Sequence, residues 1–533
     1  LTNNCKNNKK IKDFSVIDNE RQSNDQLAKN LNYYYKGVGG DAVPSNDVLH
    51  HSDSSPLQPL SIGEVKLLLS TIDTSKATCA DDFPSWVSKE GKEDICIPLH
   101  NIINGMLADG QYPDMWKKAQ VTPVPKIKQP SMYKHFRPIS LLYHLGKLAE
   151  QALVNKLKAP LKDAIASNQY AYRPKVGSTD ALLQLLDDCT AELDLIESKY
   201  VQLACLDFSK AFDKLQPQIL LKKLQKCNIN GNLIDILEDF LKRRQQCVKV
   251  NDSFSDFIDI SVGAPQGTKL GPILWLFYID DLELDNFSMV KYADDTSFYT
   301  TIRNPQTESI APAVIATESW SDRNFMSLNA DKTEIMNILN NHRNTFDQEV
   351  IINGISIQPK KCVAFLGVLV DDHLSFSDHV DKLISDCDKR LYLLRQLKIL
   401  GMNQQGLTRF FCSNVRSLIS YAAPAWFPLL SDTDKIRLEK IQRTATRAII
   451  PDMEYEERLC ILQLPYLSDF LMDLSERHFN KIACDSSHPL FDRIIFNNNR
   501  MSSRLRTIYN PKRSRSQKRA KSFFPFFMSK LNN

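Results

Sequence analysis

The sequence predicts an α+β protein with a nearly all-helical carboxy-terminal region. Three observations carry that expectation. Before residue 374, strand-length apolar runs and helical stripes mix without strict strand–helix–strand alternation. Past Leu374 the apolar spacing is nearly all helical. Between them, Met289-Val290-Lys291-Tyr292-Ala293-Asp294-Asp295-Thr296-Ser297-Phe298-Tyr299 reads as strand, tight turn, strand.

The elements follow in order. Residues 1 to about 55 are rich in Asn, Ser, Asp and Lys and read as a polar linker with one helical patch, Leu27 to Tyr35. Ile62, Val65, Leu68, Leu69 and Ile72 recur at helical spacing, and a second helix is expected over Ile95 to Leu107. Pro113, Pro123, Pro125 and Pro130 mark an extended region. Leu145, Leu148, Ala149, Ala152, Leu153 and Leu157 form the next helical stripe. Val201 to Leu206 reads as a buried strand ending at Asp207. Two helices follow, on Leu220, Leu224 and Cys227, then on Leu233, Ile236, Leu237, Phe240 and Leu241. Val248–Val250 and Phe257–Val262 look like a strand pair, and Leu270–Tyr278 like a buried helix. In Lys435–Ile450, Leu438, Ile441, Ala445, Ala448 and Ile449 share one face, with Arg437, Lys440, Arg443 and Arg447 opposite.

Bulk properties narrow the class. The 533 residues suffice for several subdomains, and 43% hydrophobic residues can build a core. No apolar run reaches the length of a membrane span; the richest, Leu418 to Leu430, is broken by Ser, Pro and Trp, so no membrane partner is expected. The start, Leu1-Thr2-Asn3-Asn4-Cys5, carries no secretory pattern, and its lack of Met suggests a piece of a longer frame. Twelve scattered cysteines without a C-x-x-C pair argue against zinc and for reduced thiols in cytoplasm or nucleus. Net charge is only +4, but Arg500, Arg504, Arg506, Lys512, Arg513, Arg515, Lys518, Arg519 and Lys521 follow one another without an acid. Such a block can neutralise phosphates or serve as a solubilising tail.

The chemistry is carried by acids. Asp294 and Asp295 repel each other, so the pair needs a cation or solvent; by themselves they read as a solvated turn. Asp207, at the end of its own strand, offers a third carboxylate if the strands are neighbours. Three such acids would form an oxygen-rich site for two Mg²⁺ ions. Phe212, five residues after Asp207, is either a core aromatic or a plate that excludes a sugar 2′-hydroxyl. Gly263-Ala264-Pro265-Gln266-Gly267-Thr268-Lys269-Leu270-Gly271-Pro272 is a Gly/Pro loop. Gly267 permits close backbone approach, Gln266 offers donor and acceptor, and the following helix start would favour phosphate.

Phe208-Ser209-Lys210-Ala211-Phe212-Asp213, Ala264-Pro265-Gln266-Gly267 with Leu270-Gly271-Pro272, and Tyr292-Ala293-Asp294-Asp295 stand in this order. They resemble the A, B and C motifs of reverse transcriptases, most closely the non-LTR (LINE-type) group with its jockey-like and chicken-repeat-like elements. Trp116-Lys117-Lys118-Ala119 with Pro125-Lys126, Arg137-Pro138-Ile139-Ser140 and Gln169-Tyr170-Ala171-Tyr172-Arg173-Pro174 resemble its fingers motifs. Asn329-Ala330-Asp331-Lys332-Thr333 resembles motif D, and Phe365-Leu366-Gly367-Val368 the primer grip. Gln442 to Arg447 and Tyr455 to Leu459 resemble the thumb and carboxy-terminal region. Eight motifs in the right order make chance a remote explanation.

The resemblance implies a right-hand polymerase of fingers, palm and thumb that extends a DNA primer on an RNA template with dNTPs. It divides the chain into a linker at 1–55, an amino-terminal fingers extension at 56–106, fingers and palm at 107–370, a helical thumb region at 371–485 and a basic tail at 486–533. It implies two Mg²⁺ ions, with Mn²⁺ as a substitute, on Asp207 and Asp294, a looser ligand in Asp295, and the backbone carbonyl of Phe208. Lys126 and Arg137 would hold the triphosphate, Gln266 and Gly267 the template and nucleotide, and Phe212 the sugar. Lys332 would be the general acid toward pyrophosphate. Arg173, Phe365, Leu366, Gly367, Arg437, Lys440, Arg443 and Arg447 would meet nucleic acid. One departure stands out: Lys76-Ala77 leads into Thr78-Cys79-Ala80-Asp81-Asp82, where the family has a Gly-Pro-Asp-Gly-like string. The endonuclease common upstream in such elements is expected outside this chain or lost. The rivals are a group II intron-type maturase, disfavoured by the missing Cys pairs and the jockey-like tail, and a decayed copy that only binds RNA, disfavoured by the intact acids.

Overall fold

The apolar run after residue 199 does form a strand, Tyr200–Leu206, and its burial follows from where it sits. The computed structural model describes residues 16–17, 20–44, 55–77, 79, 84–339, 349–496 and 509–532. They fall into two units, one of residues 1–166, 208–283 and 320–327, the other of 167–207, 284–319 and 328–533.

In the second unit Tyr200–Leu206 is an inner strand of a four-stranded sheet, in the order Glu334–Leu339, Tyr200–Leu206, Asp295–Ile302, Ser288–Tyr292. All neighbours are antiparallel. The helix Ser178–Leu193 covers one face, and Leu182, Leu183 and Leu186 pack with Val201, Leu203, Val290, Met336 and Ile338. The same core continues through the hairpin Cys362–Phe365/Val368–Asp371 into helices Ser377–Ile399, Asp432–Ile449 and Leu467–Ala483. The helical expectation past Leu374 is met because Val380, Leu383, Cys387, Leu391 and Leu394 line one face of the first of these.

The basic tail differs from its expectation. Arg500, Arg504 and Arg506 lie outside the described residues. The described part ends in a helix, Phe523–Lys530, with Phe523, Phe524, Phe527 and Met528 buried. Arg519 pairs with Asp187, and the backbone N–H groups of Arg515 and Ser516 donate to Asp194. Charge counting overlooked the aromatic run that anchors the segment.

In the first unit, Lys118–Pro125 pairs antiparallel with Phe136–Leu141 and parallel with Arg244–Val250, which pairs antiparallel with Ile258–Ile260. The expected pair at 248–250 and 257–262 is therefore present, with shifted bounds. A helix over Asn24–Gly39 lies on this sheet and buries Leu27, Ala28, Leu31 and Tyr35 against Val121, Phe136, Val248 and Val250. Buried Asn32 donates to the Ser255 hydroxyl at 2.8 Å and accepts from Gln246 at 3.0 Å. Residues 24–39 are thus part of the fold and not linker; their polarity belongs to the outer face. Leu270–Ile279 is apolar all round and correspondingly buried.

Candidate active site

Tyr292 pairs with Asp295, so Ala293 and Asp294 form a two-residue hairpin loop. Ala293 has φ +57°, the sign a II′-type hairpin needs at its first loop residue. A side chain there costs about 1 kcal/mol or more, and the loop keeps it although Ala is no turn former. In the neighbouring pair Thr296 faces Leu206. One step further, the antiparallel register sets Asp207 opposite Asp295.

Asp207 is closely attended. Its backbone carbonyl accepts from the Asn329 N–H at 2.8 Å. Its carboxylate accepts from Asn329 Nδ2 at 3.2 Å and from Lys332 Nζ at 3.0 and 3.3 Å. Asn329 also sets Lys332, because its carbonyl accepts the N–H groups of Lys332 and Thr333 at 3.1 and 2.9 Å. Asn329 stood only inside a motif string in the sequence; its amide is what fixes that loop to the acid. Burial raises the Asp294 carboxyl above its ordinary value, and Asp207 raises it further. Burial, then Asp294 and Asp207, push Asp295 up to about 6. Lys332 opposes both shifts.

This donor set suits a hard divalent ion in part. Among the described residues no three His, Cys, Asp or Glu side chains are arranged to hold a metal ion. Two carboxylates facing across a strand pair, with raised acids needing positive charge, are what Mg²⁺ takes when substrate phosphates supply the remaining oxygens. A cleft lined by Asp207, Asp295, Ser297, Lys332, Glu334 and Leu366 opens beside them.

The hairpin at 365–368 borders this cleft. Leu366 and Gly367 are its loop, both left-handed at φ +45° and +89°. Phe365 is 4% exposed; it packs into the core and also lines this cleft. Strand alternation turns Val363 and Phe365 inward and leaves the loop outward. Tyr421, which no motif indicated, donates its hydroxyl to the Leu366 carbonyl at 2.7 Å. Arg173 spends part of its donor capacity on the Gln169 carbonyl, at 3.2 Å. On the helix Asp432–Ile449, Lys440, Arg443 and Arg447 are exposed, with Arg443 over the Tyr455 ring at 4.5 Å. Arg437 is instead paired with Asp434 at 2.9 Å and with Asp381, so its charge is largely answered within the protein.

The other candidates lie in the first unit. Phe208 is buried between Trp275 and Trp320, with centroids at 6.3 and 5.7 Å. Phe212 is half-buried against Trp275 at 5.6 Å. The Gly/Pro loop is tied to it: Ala264 N–H donates to the Phe212 carbonyl at 2.9 Å. Gln266 donates from Nε2 to Asp213 at 3.0 Å, and its carbonyl accepts from Ser140 N–H at 2.9 Å. Gly267, at φ +125°, has no room for a side chain, since a Cβ would come 2.7 Å from the Ser140 carbonyl oxygen. Lys126 and Arg137 are exposed on the strand pair, and Lys126 partly offsets the burial that raises Asp213. The helix start at Leu270 is a correction. The N–H groups of Lys269 and Leu270 already donate to buried Glu150, so an internal carboxylate takes the place proposed for phosphate.

These observations define a class of carboxylate-centred polymerase palm. Residues 124–402, more than half of the chain, match the family model described as reverse transcriptase (RNA-dependent DNA polymerase), and the chain belongs to that family. Among curated relatives, the RNA-directed DNA polymerase from mobile element jockey of Drosophila melanogaster is 28% identical over 345 residues, 62% of this chain and 37% of its own length. Its namesake from Drosophila funebris is 25% identical over 456 residues, 81% of this chain and 48% of its own. A probable RNA-directed DNA polymerase from transposon BS of Drosophila melanogaster is 22% identical over 412 residues, covering 74% and 45%. The chain spans about half or less of the length of these relatives.

Proposed function

We propose that this chain is the RNA-directed DNA polymerase region of a non-LTR retrotransposon, copying an RNA template by adding dNTPs to a DNA primer. The observation that carries the reading is the strand register that puts Asp207 opposite Asp295, with Asp294 on the turn between paired strands. The carboxylates of Asp207 and Asp294, with Asp295 as a looser partner, would hold two Mg²⁺ ions, or Mn²⁺ in their place, together with the Phe208 carbonyl. When bound, such ions lower the pKa of the primer hydroxyl and stabilise the departing pyrophosphate.

The chain's own residues do the rest. Asp294 and Asp295 must lose their protons to accept positive charge, and their raised pKa values make that step pH-sensitive. Lys332 neutralises Asp207 and is 66% exposed at its side chain, so it is free to turn toward a leaving pyrophosphate and protonate it. Lys126 and Arg137 bind the triphosphate as exposed cations. Phe212, braced by Trp275, presents a flat edge to the sugar and excludes a 2′-hydroxyl. Gln266, held by Asp213, shapes the template side of the loop. Lys440, Arg443 and Arg447 track a phosphate backbone, as do Arg173 and the Leu366-Gly367 turn. Such work belongs in cytoplasm and nucleus.

Primer extension on an RNA template with Mg²⁺ tests this, comparing dNTPs and rNTPs. Extension with strong deoxy preference is expected, weakened by Phe212→Val. Salt-sensitive RNA binding without any extension would leave only an RNA-binding protein.

A further inference from the structure

The acidic turn is held from behind by a residue outside the A, B and C motifs. Ser288–Tyr292 is the edge strand of its sheet. Next to the turn, that edge is closed by the segment before the helix Ser178–Leu193. Tyr170 N–H donates to the Lys291 carbonyl at 2.9 Å, and Lys291 N–H to the Asn168 carbonyl at 2.8 Å. Gln169, between them, is 1% exposed. Its Oε1 accepts from the Ala171 N–H at 3.0 Å and from the Ala293 N–H at 3.1 Å. Two backbone donors on one atom require that atom to be the oxygen. The segment is itself anchored: the Tyr170 hydroxyl bonds to Gln184, whose amide donates to the Met289 carbonyl at 3.1 Å.

Ala293 is the left-handed residue of the turn, one position before Asp294. Its positive φ costs energy, and in that conformation its N–H donates to Gln169 Oε1. The Gln169 Nε2 has no hydrogen-bond partner among the described residues although it is buried. Retaining a buried, unpaired donor is unfavourable, so a side chain serving packing alone would be better replaced by an apolar one.

We propose that Gln169 is a positioning residue for the catalytic turn: its amide oxygen fixes Ala293, and through Ala293 the aim of Asp294 and Asp295 toward Asp207. This rests on the polymerase reading, since only there does the aim of these acids set a rate. A displaced turn costs turnover and metal use.

The test uses the full chain and two variants. Gln169→Met keeps the shape and removes the acceptor; Gln169→Glu keeps an acceptor oxygen. Gln169→Met is expected to lower turnover by about tenfold to a hundredfold. It should raise the Mg²⁺ concentration for half-maximal extension and speed hydrogen exchange in the peptide covering 289–296. Gln169→Glu should keep that peptide protected. Unchanged turnover in Gln169→Met, or unchanged exchange in the peptide, overturns the proposal. If Gln169→Met does not fold, the exchange of Gln169→Glu decides: protection as in the wild type supports the proposal, and its loss overturns it. If the wild type itself fails to extend a primer, the polymerase reading falls, while the exchange data still decide whether Gln169 fixes the turn.

Discussion

Asp295 should destabilise the protein that needs it, and replacing it with Asn should show this. Its carboxyl stands at about 6 against an ordinary 3.8, through burial, Asp294 and Asp207. The folded state therefore holds the proton more tightly than the unfolded state. Between about pH 4 and about 6 the folded chain binds more protons, so stability falls as pH rises through that window. Below it both states are protonated and the penalty vanishes; above it the penalty is complete. The full pKa difference corresponds to about 3 kcal/mol. Asp295 is exposed as a residue, and solvent screening reduces the expected value to about 1 kcal/mol. Asp295→Asn should thus be more stable than the wild type by about 1 kcal/mol at neutral pH, and equal to it near about pH 4. Native-state hydrogen exchange in strands Tyr200–Leu206 and Asp295–Ile302 reads the opening free energy of this sheet directly. Adding Mg²⁺ should stabilise the wild type more than the variant. An Asn variant less stable at neutral pH, or a gain independent of pH, would refute the electrostatic account of the turn.

Lys332→Met should cost under about 1 kcal/mol of stability, since the Lys332–Asp207 pair is largely in water. Losing that charge removes a group that opposes the raised Asp294 and Asp295, so the acid limb of a pH–rate profile should move to higher pH. Gly267→Ala meets both a φ of +125° and the Ser140 carbonyl oxygen, and should destabilise by about 1–3 kcal/mol in denaturant titration. Ending the chain at residue 508 exposes the contacts of Phe523, Phe524, Phe527 and Met528, at about 1.5–3 kcal/mol each. That sum rivals a whole domain's stability, so the truncated chain should be protease-sensitive throughout its second unit; a resistant truncation would return the tail to a mere solubilising role.

What the sequence made legible was local. The hairpin around Asp294 and Asp295 and the strand ending at Asp207 are written in runs of β-branched and aromatic residues, and both formed as read. An unbroken apolar run located Leu270–Ile279, and helix periodicity Asp432–Ile449. The burial of Phe365 was equally legible, since Val363 and Phe365 alternate with Ala364. Partners distant in sequence were not legible. Glu150 caps a helix start 119 residues away, and Tyr421 reaches Leu366 across 55. No local pattern announces such pairs, because the backbone groups they satisfy exist only once the fold has formed. The helix over Asn24–Gly39 was read too short and too loosely for a related reason: its sheet partners Val121 and Val248 lie far along the chain.

Several unfavourable terms in the second unit meet at the acidic turn. Ala293 sits left-handed where Gly or Asn would be easier, and Asp294 and Asp295 are both raised by burial and by Asp207. Buried Gln169 keeps a donor without a partner two atoms from the oxygen that holds the turn. None of these improves packing, and each would be relieved by a common substitution such as Asn-Gly in the loop or an apolar residue at 169. Yet all three converge on the register that sets Asp207 opposite Asp295, where positive charge is needed and Lys332 pairs with Asp207. Strain and unpaired charge meeting at a cluster of carboxylates is the pattern of a site whose folding cost is offset when it binds cations and phosphates. A solvated turn would need none of it, because water relieves a paired aspartate without fixing its backbone.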